Sequence, residues 1–552
     1  MRKVLTIIPA AGRGARMLSL TDNCPKAMVP VDGKPLISYL LDQIIKTDQK
    51  DVCIIVGYKK KVLINYVTMM YSGKLNITFI EQTDQKGLNH AIYQATSNNV
   101  CDGFDSVFVL LSDAIFSNRK IFNFNEESFI ACMPVEDYSR WCMAKIDNHG
   151  IAGFIDKPKE KPDTNFAVAG AYYFTNVKLF VDSIAHGMTC DTINGEFQIS
   201  SSLEYYMKNE PLKEIIVTPD QWFDFGDFTT YNKNKKLFNQ CRYFNNITYT
   251  KNDSVIKTSE NNKSKIQKEI CWFLAIPDEL KKYVAQLKSY HLDDANPGYE
   301  MSYCNGITLQ ELWLYSNLDF EQWDHILQNI YKMLIDFSIN SNHLYKVDLS
   351  KFLKDNISKR VDSKIFNDLK DYIINGKNCG CLFDKFRYFE TKLDTLKDSR
   401  FTSIIHGDMV FSNILYDISN EKITLIDPRG DFNGSIIYGD IRYDLAKLTQ
   451  CIFGDYDYIV NDLVKLKPSI DDHVVSYETY ETLSGKTRNE KLDMVYKLCK
   501  LYKVNVSDII FITAIQFLTM IPLHAESKNH QDMMFIKFVE LLNMAYELDC
   551  DK

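Results

Sequence analysis

The stretch VLTIIPAAGRGARM, Val4 to Met17, decides how the first half of the chain is read. VLTII is a short apolar run suited to a buried strand, and a turn rich in glycine and arginine follows it at once. KPLISYLLDQIIK then places Leu36, Ile37, Leu40, Leu41, Ile44 and Ile45 on one helical stripe. DVCIIVG, NITFIEQ and SVFVLLSD supply three further strands. Strand and helix alternating in this way predict a mostly parallel sheet with helices on both faces. Ligands of such sheets bind beyond the carboxyl ends of the strands, where AAGRGARM lies. Gly12 and Gly14 permit positive φ and leave backbone N–H groups uncovered, which suits phosphate oxygens. Arg13 and Arg16 add fixed charge, and Lys26 in CPKAMVPVDGKPL offers a third cation.

Bulk properties narrow the class. A chain of 552 residues is too long for one ordinary core, so two domains are expected. With 45% apolar residues and mixed charge it is globular. A net charge of −8 argues against a dedicated nucleic-acid binder. The fourteen cysteines are dispersed, and Cys379 and Cys381 read as ordinary thiols, since a metal site needs a second pair. That usage suits a reducing cytoplasm. The apolar run Ile509 to Leu523 is short and broken by polar residues and Pro522, so a buried helix is expected and no membrane span. Arg13 and Arg16 end the N-terminal apolar run too early for a signal peptide.

The segment IIPAAGRGARMLSLTDNCPKAMVPVDGKPLI resembles the sugar-phosphate nucleotidyltransferases, including the compact phosphocholine cytidylyltransferases. The resemblance implies a Rossmann-like, GT-A-like α/β domain over residues 1–240. It implies that Ala11, Gly12 and Gly14 line the nucleotide and that Arg16 and Lys26 hold the triphosphate. In EQTDQKGLNHAIYQA it puts Gln82 and Gly87 at the base. VFVLLSDAIF and WFDFGDF supply Asp113 and Asp224 as magnesium ligands. FIDKPKEKP supplies Lys157 for the acceptor's phosphate, and VAGAYYF and NGEFQIS put Gly170 and Glu196 in the acceptor pocket. Two departures stand out: Ala15 where the family has Ser or Thr, and Asp156 where it has Glu.

Around NKNKKLFNQCRYFNN the chain turns polar and basic, which places a boundary near residues 236–246. ITYTKNDSVIKTS reads as a hairpin about Asn252 and Asp253, and SKIQKEICWFLAI as a helix. Farther on, IIHGDMVFSNILYDISNEKITLIDPRGDF resembles the core of the choline kinase and aminoglycoside phosphotransferase family. That resemblance implies a protein-kinase-like α+β domain over 245–552, with a small β-rich lobe and a large helical lobe. It makes Asp408 the catalytic base, Asn413 and Asp427 magnesium ligands, and Lys257 with Glu269 the small-lobe pair at ATP. YEMSYCNG would be the hinge at the adenine. Arg429 and Asp431 receive no role, and Asp440 and Asp444 read as acids that cap a helix and pair with Arg442.

Together the resemblances imply a bifunctional enzyme. One half phosphorylates a small alcohol with ATP, and the other transfers a nucleotidyl group from an NTP, CTP being the expected one, onto that phosphate. Mg2+ serves both sites. The product would be an activated precursor for a surface polysaccharide or a lipid head group. The expected alcohol is choline-like, which calls for an aromatic cage; the alternative is a sugar or polyol. Small molecules and nucleotides are the expected partners, and homo-oligomerisation is left open.

Overall fold

The structure, a computed structural model, describes residues 2–124, 127–236, 246–250, 253–293, 295–342, 345–467, 473–480 and 487–550. The boundary expected at 236–246 falls almost wholly outside them, as does Asn252 of the expected hairpin turn. The chain forms two compact units, Met1–Phe238 with Tyr315–Asn317, and Asn239–Leu314 with Leu318–Lys552.

The first unit is built on a nine-stranded sheet. The strand Val4–Pro9 lies at its centre, parallel to both Asp51–Val56 and Ser106–Leu110, and Asn76–Glu81 extends the parallel set. Val4, Ile7 and Ile8 are fully buried, as a strand covered on both faces requires. Helix Leu36–Ile45 buries Leu36, Ile37, Leu40, Leu41 and Ile44 of the expected stripe, while Ile45 is only partly covered. The sheet is mixed. Phe166–Phe174 runs antiparallel to Ser106–Leu110 and to Phe129–Pro134, and Cys142–Asp147 pairs with Gly150–Asp156 as a hairpin. A second, two-stranded ribbon pairs Trp222–Asp224 with Ala114–Phe116. This ribbon carries Asp224 back to the carboxyl end of Ser106–Leu110.

The second unit opens with a four-stranded antiparallel sheet of Asn246–Tyr249, Ser254–Thr258, Gly298–Ser302 and Leu287–His291. Helix Lys263–Ala275 packs on it and presents Glu269 to the sheet. The rest is largely helical. Trp323, Ile326, Leu327, Ile330, Met333, Leu334 and Phe337 form the buried stripe of Phe320–Ile339, a helix started by the Asp319 and Gln322 capping box. A three-stranded sheet of Ile307–Thr308, Ile414–Asp417 and Lys422–Leu425 carries the loops that hold Asn413 and Asp427.

Helix Val506–Met520 is buried on nearly all sides. Extended to His524, it is the one helix among the described residues long and apolar enough to cross a membrane, and 72% of its apolar window is buried inside the unit. A helix apolar all round and covered in this way is a core helix. Cys379 and Cys381 are both buried free thiols, and the Cys381 sulfur accepts the Asp384 N–H at the start of its helix.

Candidate active sites

In the first unit the loop after Val4–Pro9 is shaped by one glycine. Gly14 has φ +74°, and a Cβ there would lie 2.9 Å from the Lys26 side chain. The missing Cβ lets the Lys26 stem pass beneath the loop. Lys26 Nζ then donates to Asp113 at 2.5 Å and to the Gly226 carbonyl at 3.2 Å. Gly12 differs from expectation: it is not in the left-handed region, and the position of its absent Cβ faces open space. Arg13 is held by Asp22 at 2.9 Å, whereas Arg16 is exposed and makes no ion pair among the described residues. Ala11 is buried, and its carbonyl accepts from the Tyr58 N–H and the Gln85 amide.

Asp113 and Asp224 meet because the ribbon pairs Asp224 with Ala114. Asp224 also accepts from Gly226 N–H at 2.7 Å. Burial and the Asp113 carboxylate push Asp224 up to about 6, against the pull of Arg140. Burial works against ionisation of Asp113 as well, but Lys26 and Arg16 outweigh it and hold the carboxyl below its usual range. Two adjacent carboxylates, one resisting ionisation because of burial and then because of the other, form a hard-oxygen donor set that suits Mg2+.

Arg140 was not legible as a site residue. Its guanidinium bridges Asp224 and Asp227, the latter at 2.6 Å, and lies over the Trp141 ring. Nothing in VEDYSRW marks it, because its partners lie 84 and 87 residues away.

The base-side residues also converge. Gln82 is buried, and its amide reaches His90 at 2.9 Å and the Gly87 carbonyl at 3.4 Å. Gly87, at φ +95°, starts helix Leu88–Ser97, and a Cβ there would stand 2.7 Å from the Phe197 carbonyl. Gly87→Ala should therefore strain the backbone and push the 196–197 segment away. A loss of about 1–3 kcal/mol in thermal or denaturant unfolding, with a raised KM for NTP, is the expected outcome.

On the acceptor side Lys157 Nζ lies 3.9 Å from Glu196, and both are substantially exposed. Lys157 has φ +44°, and its N–H is fixed by the Trp141 carbonyl at 2.8 Å. Gly170 shapes the backbone here. It lies in a bulge with φ +89° against Leu111, whose N–H it receives. Asp156 accepts from the Ser200 hydroxyl.

In the second unit Lys257 bridges two carboxylates, Glu269 at 2.8 Å and Asp427 at 2.7 Å. Burial opposes the ammonium charge, yet both acids hold its pKa raised. Tyr299, the first residue of the expected hinge YEMSYCNG, lies in the strand Gly298–Ser302 and donates to Glu269 at 2.8 Å. Asn413 donates to the Asp408 carbonyl at 2.9 Å and to its carboxylate at 3.2 Å. Asp408, Asn413 and Asp427 all line one cavity of about 680 Å³. The oxygen donors of Asn413 and Asp427 again suit Mg2+.

Lys447 is a second unforeseen partner, a buried lysine 3.2 Å from Asp408. Asp408 is held below its usual range because Lys447 and Lys265 outweigh the effect of burial. Asp440 caps helix Ile441–Ile452 and pairs with Arg442 at 2.7 Å. Asp444 instead accepts the N–H groups of His406 and Gly407, and burial lifts its pKa to about 7. Asp431 pairs with Lys268 at 2.7 Å, and Arg429 donates to the Tyr443 hydroxyl at 3.1 Å.

Residues 5–240 match the nucleotidyl transferase family. The chain is 32% identical over 215 residues to a Haloferax volcanii protein named UTP–glucose-1-phosphate uridylyltransferase AglF, covering 37% of this chain and 83% of the relative. It is 30% identical over 223 residues to the bifunctional protein GlmU of Methanococcus aeolicus, covering 40% of this chain and 51%, about half, of that relative. A solved UDP-glucose pyrophosphorylase bound to UDP-glucose matches 43% of this chain and 98% of its own, with 22% identity and a TM-score of 0.36. Through its first unit the chain belongs to the nucleotidyl transferase family.

Proposed function

We propose that the first unit transfers a nucleotidyl group from a pyrimidine NTP to the phosphate of a sugar or polyol, and that the second unit makes such phosphates by phosphorylating an alcohol with ATP. The clustering of Lys26, Asp113, Asp224 and Arg140 beyond the central strand supports the first half. The relative named for uridylyl transfer to glucose 1-phosphate puts UTP first among nucleotides to try, with the expected CTP second. The Lys257 bridge between Glu269 and Asp427, in a unit whose cavity also holds Asp408 and Asn413, supports the second half. This arrangement resembles the kinase-like constellation implied by the sequence.

In the first reaction an acceptor phosphate oxygen attacks the α-phosphorus in line and pyrophosphate leaves. The chain supplies position and charge, not a nucleophile. Lys26 and Arg16 would face the triphosphate, Gln82 and the Gly87 backbone the base, and Lys157 the acceptor's phosphate. Asp113 and Asp224 would hold Mg2+, which neutralises charge on the reacting phosphates. Arg140 keeps Asp224 oriented and stabilises its ionised form.

In the second reaction Asp408 accepts the hydroxyl proton as the alcohol oxygen bonds to the γ-phosphorus and ADP departs. Lys447 keeps Asp408 ionised and aimed. Lys257 would turn from Asp427 to the ATP phosphates, and Asn413 with Asp427 would hold Mg2+.

The choline-like acceptor expected from sequence finds little support in the cavity. Of the aromatic residues lining it, Phe352 is stacked on Phe432 at 3.8 Å, and Arg429 lies over Phe352 at 5.0 Å and over Tyr443 at 5.6 Å; Tyr456 by itself makes no ring cage in the cavity. Cations around it oppose a quaternary ammonium, which favours the sugar or polyol route.

Pyrophosphate release should be followed with the four NTPs against glucose 1-phosphate, polyol phosphates and phosphocholine. A pyrimidine NTP with a sugar or polyol phosphate is the expected productive pair. Turnover with phosphocholine alone would restore the amino-alcohol reading, and no pyrophosphate from any pair would refute nucleotidyl transfer.

A further inference from the structure

The cavity beside Asp408 carries more positive charge than its acids neutralise. Lys447 is matched to Asp408, Lys268 to Asp431 and Lys257 to Asp427. Lys265 lies 3.7 Å from Glu269. Arg360 and Arg429 also line the cavity, and neither forms an ion pair among the described residues. Lys359 adds a further cation to the lining and Asp355 a further acid.

The two arginines belong to one packed group. Arg429 lies over Phe352 at 5.0 Å and over Tyr443 at 5.6 Å from the ring centroids, and donates to the Tyr443 hydroxyl. Phe352 and Arg360 share the helix Leu349–Arg360. Burial and the Arg429 guanidinium beside it both pull the Arg360 pKa below its ordinary value. A cation in the last turn of a helix is favoured by the dipole, which accounts for Lys359 and Arg360 being basic. It does not account for a second guanidinium, Arg429, lining the same cavity and near enough to act on Arg360. Burial opposes the Arg429 charge, and Tyr443, Asp408 and Asp431 offset it and raise the pKa, but none of them stands in an ion pair with either arginine among the described residues. Two neighbouring guanidiniums repel unless an anion sits between them, and their planar forks suit the paired oxygens of a carboxylate or phosphate.

We propose that the acceptor of the second unit is an alcohol that already carries an oxyanion, a carboxylate or a phosphate ester, gripped by Arg360 and Arg429 while its hydroxyl faces Asp408. This rests on the kinase reading of the second unit. The hydroxyl oxygen bonds to the γ-phosphorus of ATP, the bond from that phosphorus to the β–γ bridging oxygen breaks, ADP leaves, and the proton passes to Asp408. The product then carries two acid groups, the old one at the arginines and the new one at the transferred phosphate. An aliphatic amino alcohol would bring a third cation into this group and be rejected.

The test uses the full chain with Mg2+ and ATP, and phosphorus NMR to identify products. The probes are glycerol, choline, glycerate and glycerol 3-phosphate, followed by glucose, gluconate and glucose 6-phosphate. Anionic members should exceed their neutral counterparts at least about tenfold in kcat/KM, the size of one charge-assisted contact. The carboxylate and phosphate arms then show which oxyanion is used. Arg360→Gln should raise KM for the anionic acceptor about tenfold or more, with little change in KM for ATP, and Arg360→Lys should restore part of the loss. Arg429→Gln should act in the same direction, and a folded far-UV spectrum separates this from collapse of the Phe352 stack.

Preference for neutral or cationic alcohols, with ATP consumption still dependent on Asp408, would overturn the oxyanion inference and leave the kinase reading intact. So would an Arg360→Gln effect confined to KM for ATP. No phosphorylation of any probe, together with ATP hydrolysis that Asp408→Asn does not alter, would overturn both.

Discussion

Asp113→Asn and Asp224→Asn should each lower nucleotidyl transfer by about a thousandfold or more in kcat, while the phosphorylation proposed for the second unit should be unaffected. The ribbon sets Asp224 opposite Ala114, the residue after Asp113, and Lys26 holds Asp113 while Arg140 holds Asp224. An amide in either place weakens the hard-oxygen pair and leaves a buried cation with a poorer partner. The variants should also differ from one another. Asp113→Asn would leave Lys26, only 11% exposed, bonded chiefly to the Gly226 carbonyl, so the loop under Gly14 loosens as well. Asp224→Asn would leave Arg140 with Asp227, so the loop stays anchored and the loss is confined to the chemistry. Raising Mg2+ should recover part of the activity in Asp224→Asn, whose loop stays anchored, and less in Asp113→Asn, where the Lys26 loop is loosened as well. Steady-state pyrophosphate release across a magnesium titration checks this.

Asp455→Ala should destabilise the second unit by about 3–5 kcal/mol. Asp455 is buried and accepts from Lys491 at 2.8 Å and Lys537 at 2.9 Å. Lys537 is fully buried and also pairs with Glu540, which in turn receives Arg488 at 2.7 Å. Deleting Asp455 strips the shared acid from two buried ammonium groups, and the cost is that of leaving charge unpaired, not that of one average salt bridge. Burial resists ionisation of Asp455, but the two lysines overcome it and hold the carboxyl far below its usual range. A carboxyl depressed in the folded state adds stability that is fully present above its unfolded value near 3.9 and fades as pH falls toward the folded value. The gap between wild type and Asp455→Ala should therefore be widest near neutrality and shrink below about pH 4. Denaturant unfolding at pH 7 and pH 3, followed by far-UV circular dichroism, measures it; a gap that does not change with pH would refute the ionic account.

Much of the first unit was legible because its chemistry is written in short, ordered segments. The apolar run before AAGRGARM and the helical stripe from Leu36 declare themselves locally, whereas Asp113 in SVFVLLSD and Asp224 in WFDFG were legible only through the ordered set of segments that resembles the family. The pairing of Phe129–Pro134 with Phe166–Phe174 was not legible, since no turn joins them in sequence, and the hairpin of Cys142–Asp147 with Gly150–Asp156, whose Asp147-Asn148-His149-Gly150 turn is a local signal, was missed. Lys257 and Glu269 were paired only through the resemblance to the kinase-like family, since each alone reads as part of a solvated face; the fold brings them to 2.8 Å. Arg140 and Lys447 escaped: each acts on an acid brought near only by the fold, and each looks like an ordinary solvated cation in its own segment. Only the structure shows Lys447 to be buried, in a helix, Ile441–Ile452, that is covered along its whole length. The aromatic cage could not be read either way, because 32 tyrosines and 33 phenylalanines are spread through the chain without a distinguishing spacing.

The central claim is that one chain carries two separate chemistries in sequence. The most direct test follows wild type, Asp408→Asn and Asp113→Asn by phosphorus NMR, with ATP, the productive NTP and either the acceptor alcohol or its phosphate. Asp408→Asn should form no nucleotide-activated product from the alcohol and a full yield from the phosphate. Asp113→Asn should accumulate the phosphate and stop there. Loss of both steps in either folded variant would contradict two independent sites.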